Sequence, residues 1–580
     1  MIRTVPETTG EGIELYIRTY YSLLRSSGDI RIRSLEETHE GMLSSLHLKA
    51  ESPEFDASAF TYAAFRLPDC LHQVRRVVMG QADEVFVHHG LRDIATWQRV
   101  DAAARRRRML FDGQETLAAF VSSVSDIDDL IPCLTAFQIE WNKLHWRLAG
   151  TQLGADLAEG RALASTDASA LTAAFGITDE DLERLHQVWG RHWNDRIRAV
   201  AGRPLDLRLR SLASGFNDYR KAVEVWWDDL ARTMGAVAVE SQPIYFVSSN
   251  PHSLPNLISG YALSERDALI TFAREENPEG LADEWDALVA RGDGGAQANY
   301  LYYVQRAYRK RDAAAQRIWA RADADAGIHR FDEPHSLDIS AQVIELCRLD
   351  PDKIDPRLAM AGLEALADSN ALIINVDYPL GFAAYHLFSQ ICSSAADVLG
   401  VYVMGKAATL VGRVGDVMIP NVVYDEHSRN TFLFKNCFLS QHVAPYLCHG
   451  TVFDNQKAVT VRGTFLQNRE FMDIFYREGY TDLEMESGPY LSAVYEDIYP
   501  QRFPVNEIVN LFINAPYDIG LLHYASDTPY SRRQSLLSKS LSYFGVDATY
   551  ACSVAVLRRI LEAEVRRSGG EEVRTGMKDE

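Results

Sequence analysis

A chain of 580 residues with 47% hydrophobic and 24% charged side chains can bury more than one core and is too apolar to stay disordered. Asp and Glu number 80 against 59 Lys and Arg, and the resulting net charge of -21 repels phosphate backbones, excluding non-specific nucleic-acid binding but not a small anion in a local pocket. Seven scattered cysteines without a C-x-x-C pair argue against a disulfide framework or zinc site and for a reducing compartment. The opening MIRTVPETTGEG lacks the apolar stretch of a signal peptide, and no run approaches the ~20 apolar residues of a membrane helix. A cytoplasmic protein is expected.

Residues 1–240 read as a mainly helical domain. Ile13, Tyr16, Ile17 and Tyr20 fall on one face of a helix over 11–25. Similar spacing predicts helices over 57–79, interrupted at Pro68, and over 117–124 and 131–148. Trp141 and Trp146 at helical spacing read as core. Arg105-Arg106-Arg107-Arg108 is either an anion contact or a solvated face. His88-His89 has no metal-ligand spacing around it. Residues 149–175, rich in Ala, Gly, Ser and Thr, form a connector. Thr178 opens a helix with Asp181 in the capping-box position, and helices continue to Met234.

The character changes at Pro243. A buried strand over 244–247 runs into the polar loop 248–253, and a helix starts near Leu254. That junction offers free N–H groups to an anion, or is a plain capped turn. Residues 264–350 read as a helical insertion. Strands follow over 372–376, before Asp377-Tyr378-Pro379-Leu380-Gly381, over 399–404, ending at Gly405-Lys406, and over 417–424. A short strand over 481–483 leads into Glu484-Met485-Glu486. Alternation puts both carboxylates on one face, suited to paired hydroxyls, although a solvated acidic turn has the same pattern. Strands over 511–513 and 519–524 come last, the second ending in Ser526-Asp527. Helices over 533–543 and 549–567 close the fold, and residues 568–580 read as a flexible tail.

Gly405-Lys406-Ala407-Ala408, Gly415-Asp416-Val417-Met418-Ile419-Pro420, Gly463-Thr464-Phe465, Glu484-Met485-Glu486 and Tyr524-Ala525-Ser526-Asp527, in that order, resemble the nucleoside phosphorylase and nucleosidase superfamily over roughly 243–566. The Gly-Lys and Gly-Asp-x-x-x-Pro segments look closest to the C-terminal domain of AMP nucleosidase. The whole chain also resembles a bacterial family of phosphorylase-like proteins that brings no activity with it. The resemblance implies an α/β domain over 241–567, a mixed sheet flanked by helices, behind the helical domain. It implies cleavage of the N-ribosyl bond of a purine nucleoside or nucleotide by water or phosphate, without cofactor or metal, in a homo-oligomer. A catalytically altered nucleotide-binding regulator on the same scaffold is the alternative.

The resemblance also implies roles. Asp527 would protonate the purine at N7, with Ser526 orienting the loop. Glu486 would bind the ribose hydroxyls, Met485 would pack under the sugar, and Glu484 would stand second. Phe465 would stack on the base, beside the backbone of Thr464. Ser249, His252, Ser253, Gly405 and Lys406 would hold phosphate. The family pattern has arginines where Ser253 and Val403 stand here. Their absence favours hydrolysis, with Asp377 or His427 beside the water.

Overall fold

The computed structural model describes residues 10–569, except 27, 165–166, 213–215, 333–334, 513–514 and 529–542. Most of the helix expected over 533–543, and the tail from residue 570, lie outside the described residues.

The N-terminal half is mainly helical, and it also contains a six-stranded sheet that the periodicity did not disclose. Its strands are β1 (Ile30–Arg31), β2 (Arg76–Gly80), β3 (Gln98–Arg99), β4 (Met109–Phe111), β5 (Thr116–Phe120) and β6 (Arg208–Ser211), in the order β1-β6-β2-β5-β4-β3. β2 and β5 overlap the spans expected to be helical. Short apolar runs such as VVMG and TLAAF carry no period that separates strand from helix. The helix Val124–Ala149 backs this sheet and is buried along most of its length. The capping box of Thr178 and Asp181 opens the helix Asp179–Trp189 as expected.

The C-terminal half is α/β. Its strands are β7 (Pro243–Ser249), β8 (Ile328–Phe331), β9 (Ala341–Glu345), β10 (Leu372–Asp377), β11 (Asp397–Thr409), β12 (Val417–Asp425), β13 (Thr431–Leu433), β14 (Val452–Thr460), β15 (Asp482–Glu484), β16 (Ile508–Asn510) and β17 (Asp518–Asp527). β10, β7, β11 and β17 are parallel neighbours. β11 pairs β15, β15 pairs β14, β14 pairs β12, and β12 pairs β17, which returns to β11. Five strands thus close into a ring, while β10, β9 and β8 extend the sheet to one side. The insertion is helical up to Asp325, after which the β8–β9 hairpin joins the sheet.

The two halves share packing. The helix Phe216–Thr233 joins the C-terminal core from Val223 onward: Trp226 is fully buried among residues of β7, β9 and β10, and its Nε1 donates to the Ile339 carbonyl at 2.8 Å. The change of core falls within this helix, since Tyr219 is buried in the N-terminal core and Val223 in the C-terminal one. In return, Phe465 and Leu466 are buried in the N-terminal core. No helix among the described residues is long and apolar enough to cross a membrane.

Candidate active site

The sequence-expected site residues collect where strands end around the ring. Ala408 of β11 pairs Leu483 of β15 on one side and Asp527 of β17 on the other. The Glu484-Met485-Glu486 turn and Asp527 therefore flank one strand end, about 10 Å apart at two strand spacings. The register slips between Ala407 and Ala408, leaving Ser526 as the extra residue of a bulge. A bulge re-aims the side chains beside it. Ser526 Oγ donates to Asp527 Oδ2 at 3.0 Å.

The two glutamates of the turn differ in environment. Glu484 is buried, and its carboxylate is fully engaged. It accepts the Thr460 hydroxyl and, at 2.7 Å each, the N–H groups of Glu486 and Ser487 that open the helix Ser487–Ile498. Gly488 in that helix lets it meet β12, since a Cβ there would lie 2.5 Å from the Asp425 carboxyl carbon. Glu486 instead keeps some accessible surface. Burial, then the neighbouring Glu484, pushes its carboxyl up to about 8 against the relief offered by the Met485 N–H, His523 and Arg107. Such a group holds its proton at neutral pH. It releases that proton readily when positive charge develops nearby.

Beneath the turn lies a chain that the sequence did not reveal. Ser487 Oγ is 3.0 Å from His523 Nε2, and His523 Nδ1 is 2.5 Å from Asp482 Oδ2. All three are buried. Burial opposes charge on His523, but Asp482, then Glu484 and Glu486, hold its imidazolium above the ordinary value. The only sequence signal for this chain is a histidine in an otherwise apolar strand.

A second group gathers at the ends of β7, β10 and β11. Arg106, His252 and Lys406 retain solvent-accessible surface although protein surrounds them, as the lining of a cleft does. Glu486 and Arg66 share that condition, and Asp527 and Thr464 are also partly exposed. The surrounding protein, and then the charge of Arg106, bring the Lys406 ammonium down to about 8. Enclosure, and then Arg106, Arg306, Lys406 and Arg330, press the His252 imidazolium down to about 3. His252 is thus neutral and ringed by cations.

Several expectations change. Ser249 is fully buried and spends its hydroxyl on Asn375 Oδ1 at 2.7 Å, so it is closed to a ligand. The helix after the loop, Ser253–Ile258, has six residues, too few to supply an appreciable dipole. Phe465 is 1% exposed, packed against Tyr62, His39 and His47 at ring distances of 5.5, 6.3 and 6.3 Å. Its segment crosses into the other core, so its ring cannot face a base in the cleft. Tyr62 and Arg66, from the helix Ala57–Arg66, feel the charge of Asp527, although Tyr62 is buried in the same core as Phe465. Thr464 Oγ1 donates to Asp129 at 3.0 Å. Gly405 is partly exposed, its Cα facing the Tyr378 ring. Asp377 pairs with Arg106, and His427 sits between the halves, 2.9 Å from Asp425 and 3.5 Å from Ser125.

The arginine run is not remote, and Arg105, Arg107 and Arg108 are largely buried. Arg105 approaches Asp126 and Asp129 at 3.8 Å each, Arg107 donates to the carbonyls of Asp338 and Tyr378 at 2.8 Å, and Arg108 pairs with Asp338 at 3.2 Å. Tyr378 holds a positive φ of 31°, a strained value for a bulky residue. Arginines of this run thus reach the other half from a segment well upstream of both expected positions, Ser253 and Val403, with Arg106 at the cleft. No local motif at β7 or β11 could announce them. Among the described residues, no group of three or more His, Cys, Asp or Glu is placed to hold a metal.

The fold and cleft define a mixed α/β protein whose strand ends converge on one acidic and one cationic pole. The chain belongs to the family of unknown function DUF6909, whose model matches residues 32–562. No curated protein matches it. Among solved structures it is similar to S-adenosylhomocysteine nucleosidase from Streptococcus pyogenes in complex with 5-methylthiotubericidin, at 9% identity over 56% of this chain and 97% of that one, TM-score 0.27. It is also similar to 5′-methylthioadenosine/S-adenosylhomocysteine nucleosidase from Neisseria meningitidis, at 13% identity over 44% and 95%, TM-score 0.26. Uridine phosphorylase from Schistosoma mansoni in complex with thymine gives 9% identity over 57% and 89%, TM-score 0.29. Overlaps this small decide neither substrate nor reaction.

Proposed function

We propose that this protein cleaves the N-glycosidic bond of a purine nucleoside or nucleotide. The observation that carries the reading is the placement of Asp527 and the Glu484-Met485-Glu486 turn on either side of the β11 strand end. Breaking the bond between the sugar C1′ and the base leaves the electron pair on the purine and positive charge on the ribose. Asp527 delivers a proton at N7, and Ser526 fixes its carboxyl. Glu486 meets the ribose hydroxyls beside the growing sugar charge. Met485 packs under the sugar. Water or a phosphate oxygen adds at C1′. Lys406, His252 and Ser253 form the pole for phosphate.

Free base released from a panel of purine nucleosides and nucleoside 5′-monophosphates, with and without phosphate, tests this reading. Asp527→Asn should slow release by about 10²–10⁴-fold, as loss of a general acid does.

A second reading is favoured by one feature: Phe465 and Ser249, two expected ligand contacts, are spent on packing. A nucleotide-binding regulator on this scaffold would be stabilised by nucleotide in thermal unfolding without turnover.

A further inference from the structure

Arg106 belongs to the loop between β3 and β4, yet its side chain lies at the strand ends of the other half. Nη1 donates to Asp377 Oδ1 at 2.6 Å, and Cζ stands 4.7 Å from the centre of the Tyr378 ring. Its neighbours fix the loop by their bonds to Asp338 and Tyr378. Within the run, the Arg106 side chain is 43% exposed, against 4, 6 and 15% for Arg105, Arg107 and Arg108. It is the member of the run that faces the cleft.

Other cations converge on the same place. Arg330 donates to the Pro251 carbonyl at 3.1 Å, next to His252. Lys406 and Arg306, the latter on the helix Gly294–Arg311, complete the set that acts on His252. Ser253 Oγ is fully buried there and has no hydrogen-bond partner among the described residues. The carboxylates facing this set are Asp377 on Arg106, Asp323 on Arg330 at 2.7 Å, and Asp527 towards Lys406. These cations gather in a chain of net charge -21.

We propose that Arg106 completes a binding pole for a phosphoryl dianion with Lys406, Arg330, Arg306 and Ser253, and that Asp377 is the internal anion such a ligand displaces. This rests on the cleft read above as the substrate site, and it adds to that site a contact from the N-terminal half. A planar guanidinium and a point-charge ammonium suit phosphoryl oxygens. A carboxylate already on the guanidinium competes with them. The same chemistry is carried by free phosphate and by the 5′-phosphate of a nucleotide.

Calorimetric titration of the full chain with inorganic phosphate, AMP and adenosine tests the proposal. Binding of phosphate alone, of AMP alone, or of both in competition tells the sources apart. Arg106→Ala should weaken the phosphoryl ligand about 10- to 100-fold, the worth of a charge-assisted bond, and leave adenosine unchanged. Arg106→Lys should recover part of the affinity, and Asp377→Asn should tighten binding. The proposal is overturned if neither AMP nor phosphate binds the wild type at millimolar concentration. Arg106 variants that fold and bind within about twofold of wild type, or a loss of affinity in Asp377→Asn, overturn it equally. Should Arg106→Ala not fold, Arg106→Lys and Asp377→Asn decide. Arg106-dependent AMP binding without base release contradicts the proposed activity and leaves this pole standing. Base release with Arg106-independent AMP affinity overturns the pole alone.

Discussion

Glu484 and Glu486 are two residues apart and chemically alike, and their surroundings give them different work. Glu484 closes the turn by accepting two N–H groups and a hydroxyl. Removing it leaves buried donors unpaired, so Glu484→Ala should lower the unfolding free energy by about 1–3 kcal/mol in urea titration. Glu486→Gln should keep the fold and lower kcat/KM in base release. Equal loss of stability in both variants would contradict the division. The sequence put these carboxylates on one face but held no sign of which one the backbone would occupy. Thr460, which helps engage Glu484, is 24 positions away in β14. The placement of Phe465 was hidden for the same reason. A ring's environment is decided by which core its segment enters, and Phe465 enters the far one.

At the scale of elements, the parallel strands were legible because buried β-branched runs bounded by polar turns leave few alternatives. β7, β10, β11, β12 and β17 stand close to where the residue pattern put them. β14 was missed: Asp454, Asn455 and Gln456 interrupt its apolar alternation, and Asn455 has a φ of 57°. The N-terminal sheet was missed because each of its strands has at most five residues. The helix expected over 131–148, with Trp141 and Trp146 as core, lies within Val124–Ala149; Trp141 is buried, Trp146 is 62% exposed, and the helix carries a buried polar chain. His39 Nε2 meets His47 Nδ1 at 3.0 Å, His47 Nε2 meets Glu140 Oε1 at 2.8 Å, and Lys143 Nζ meets the same oxygen at 2.6 Å. Glu140→Ala would strand the Lys143 charge, at a cost of about 3–5 kcal/mol in denaturant unfolding. A loss below about 1 kcal/mol, the range of an exposed pair, would show the network to be solvated.

Across the whole molecule, Arg462 reaches Glu14 at 3.3 Å and Asp128 at 3.5 Å, and Phe465 sits in the other half's core. Phe465→Ala should therefore lower the melting of both halves together, by about 3–5 kcal/mol, in one calorimetric transition. Two separated transitions would contradict a shared core. The pH profile follows from buried acids and imidazoles. Glu426 and Glu486 hold protons up to about 8 that the unfolded chain releases near 4.5, so stability falls as pH rises through that window. Burial keeps His39 neutral and brings His386 down to about 4, so stability also falls as pH drops below the usual 6.5. The two trends oppose each other below about pH 6.5, and above it the acids act alone, so melting temperature should fall from about pH 6.5 to 8. Glu426→Gln should flatten its alkaline side. The central claim concerns chemistry at the junction of β11, β15 and β17, and one assay reaches it directly. The purified chain is incubated with purine nucleosides and nucleoside 5′-monophosphates, with and without phosphate, and free base is measured by chromatography. The account predicts base from at least one substrate and its loss in Asp527→Asn. No base from any of them at enzyme concentrations equal to substrate, or equal release by Asp527→Asn, would contradict it.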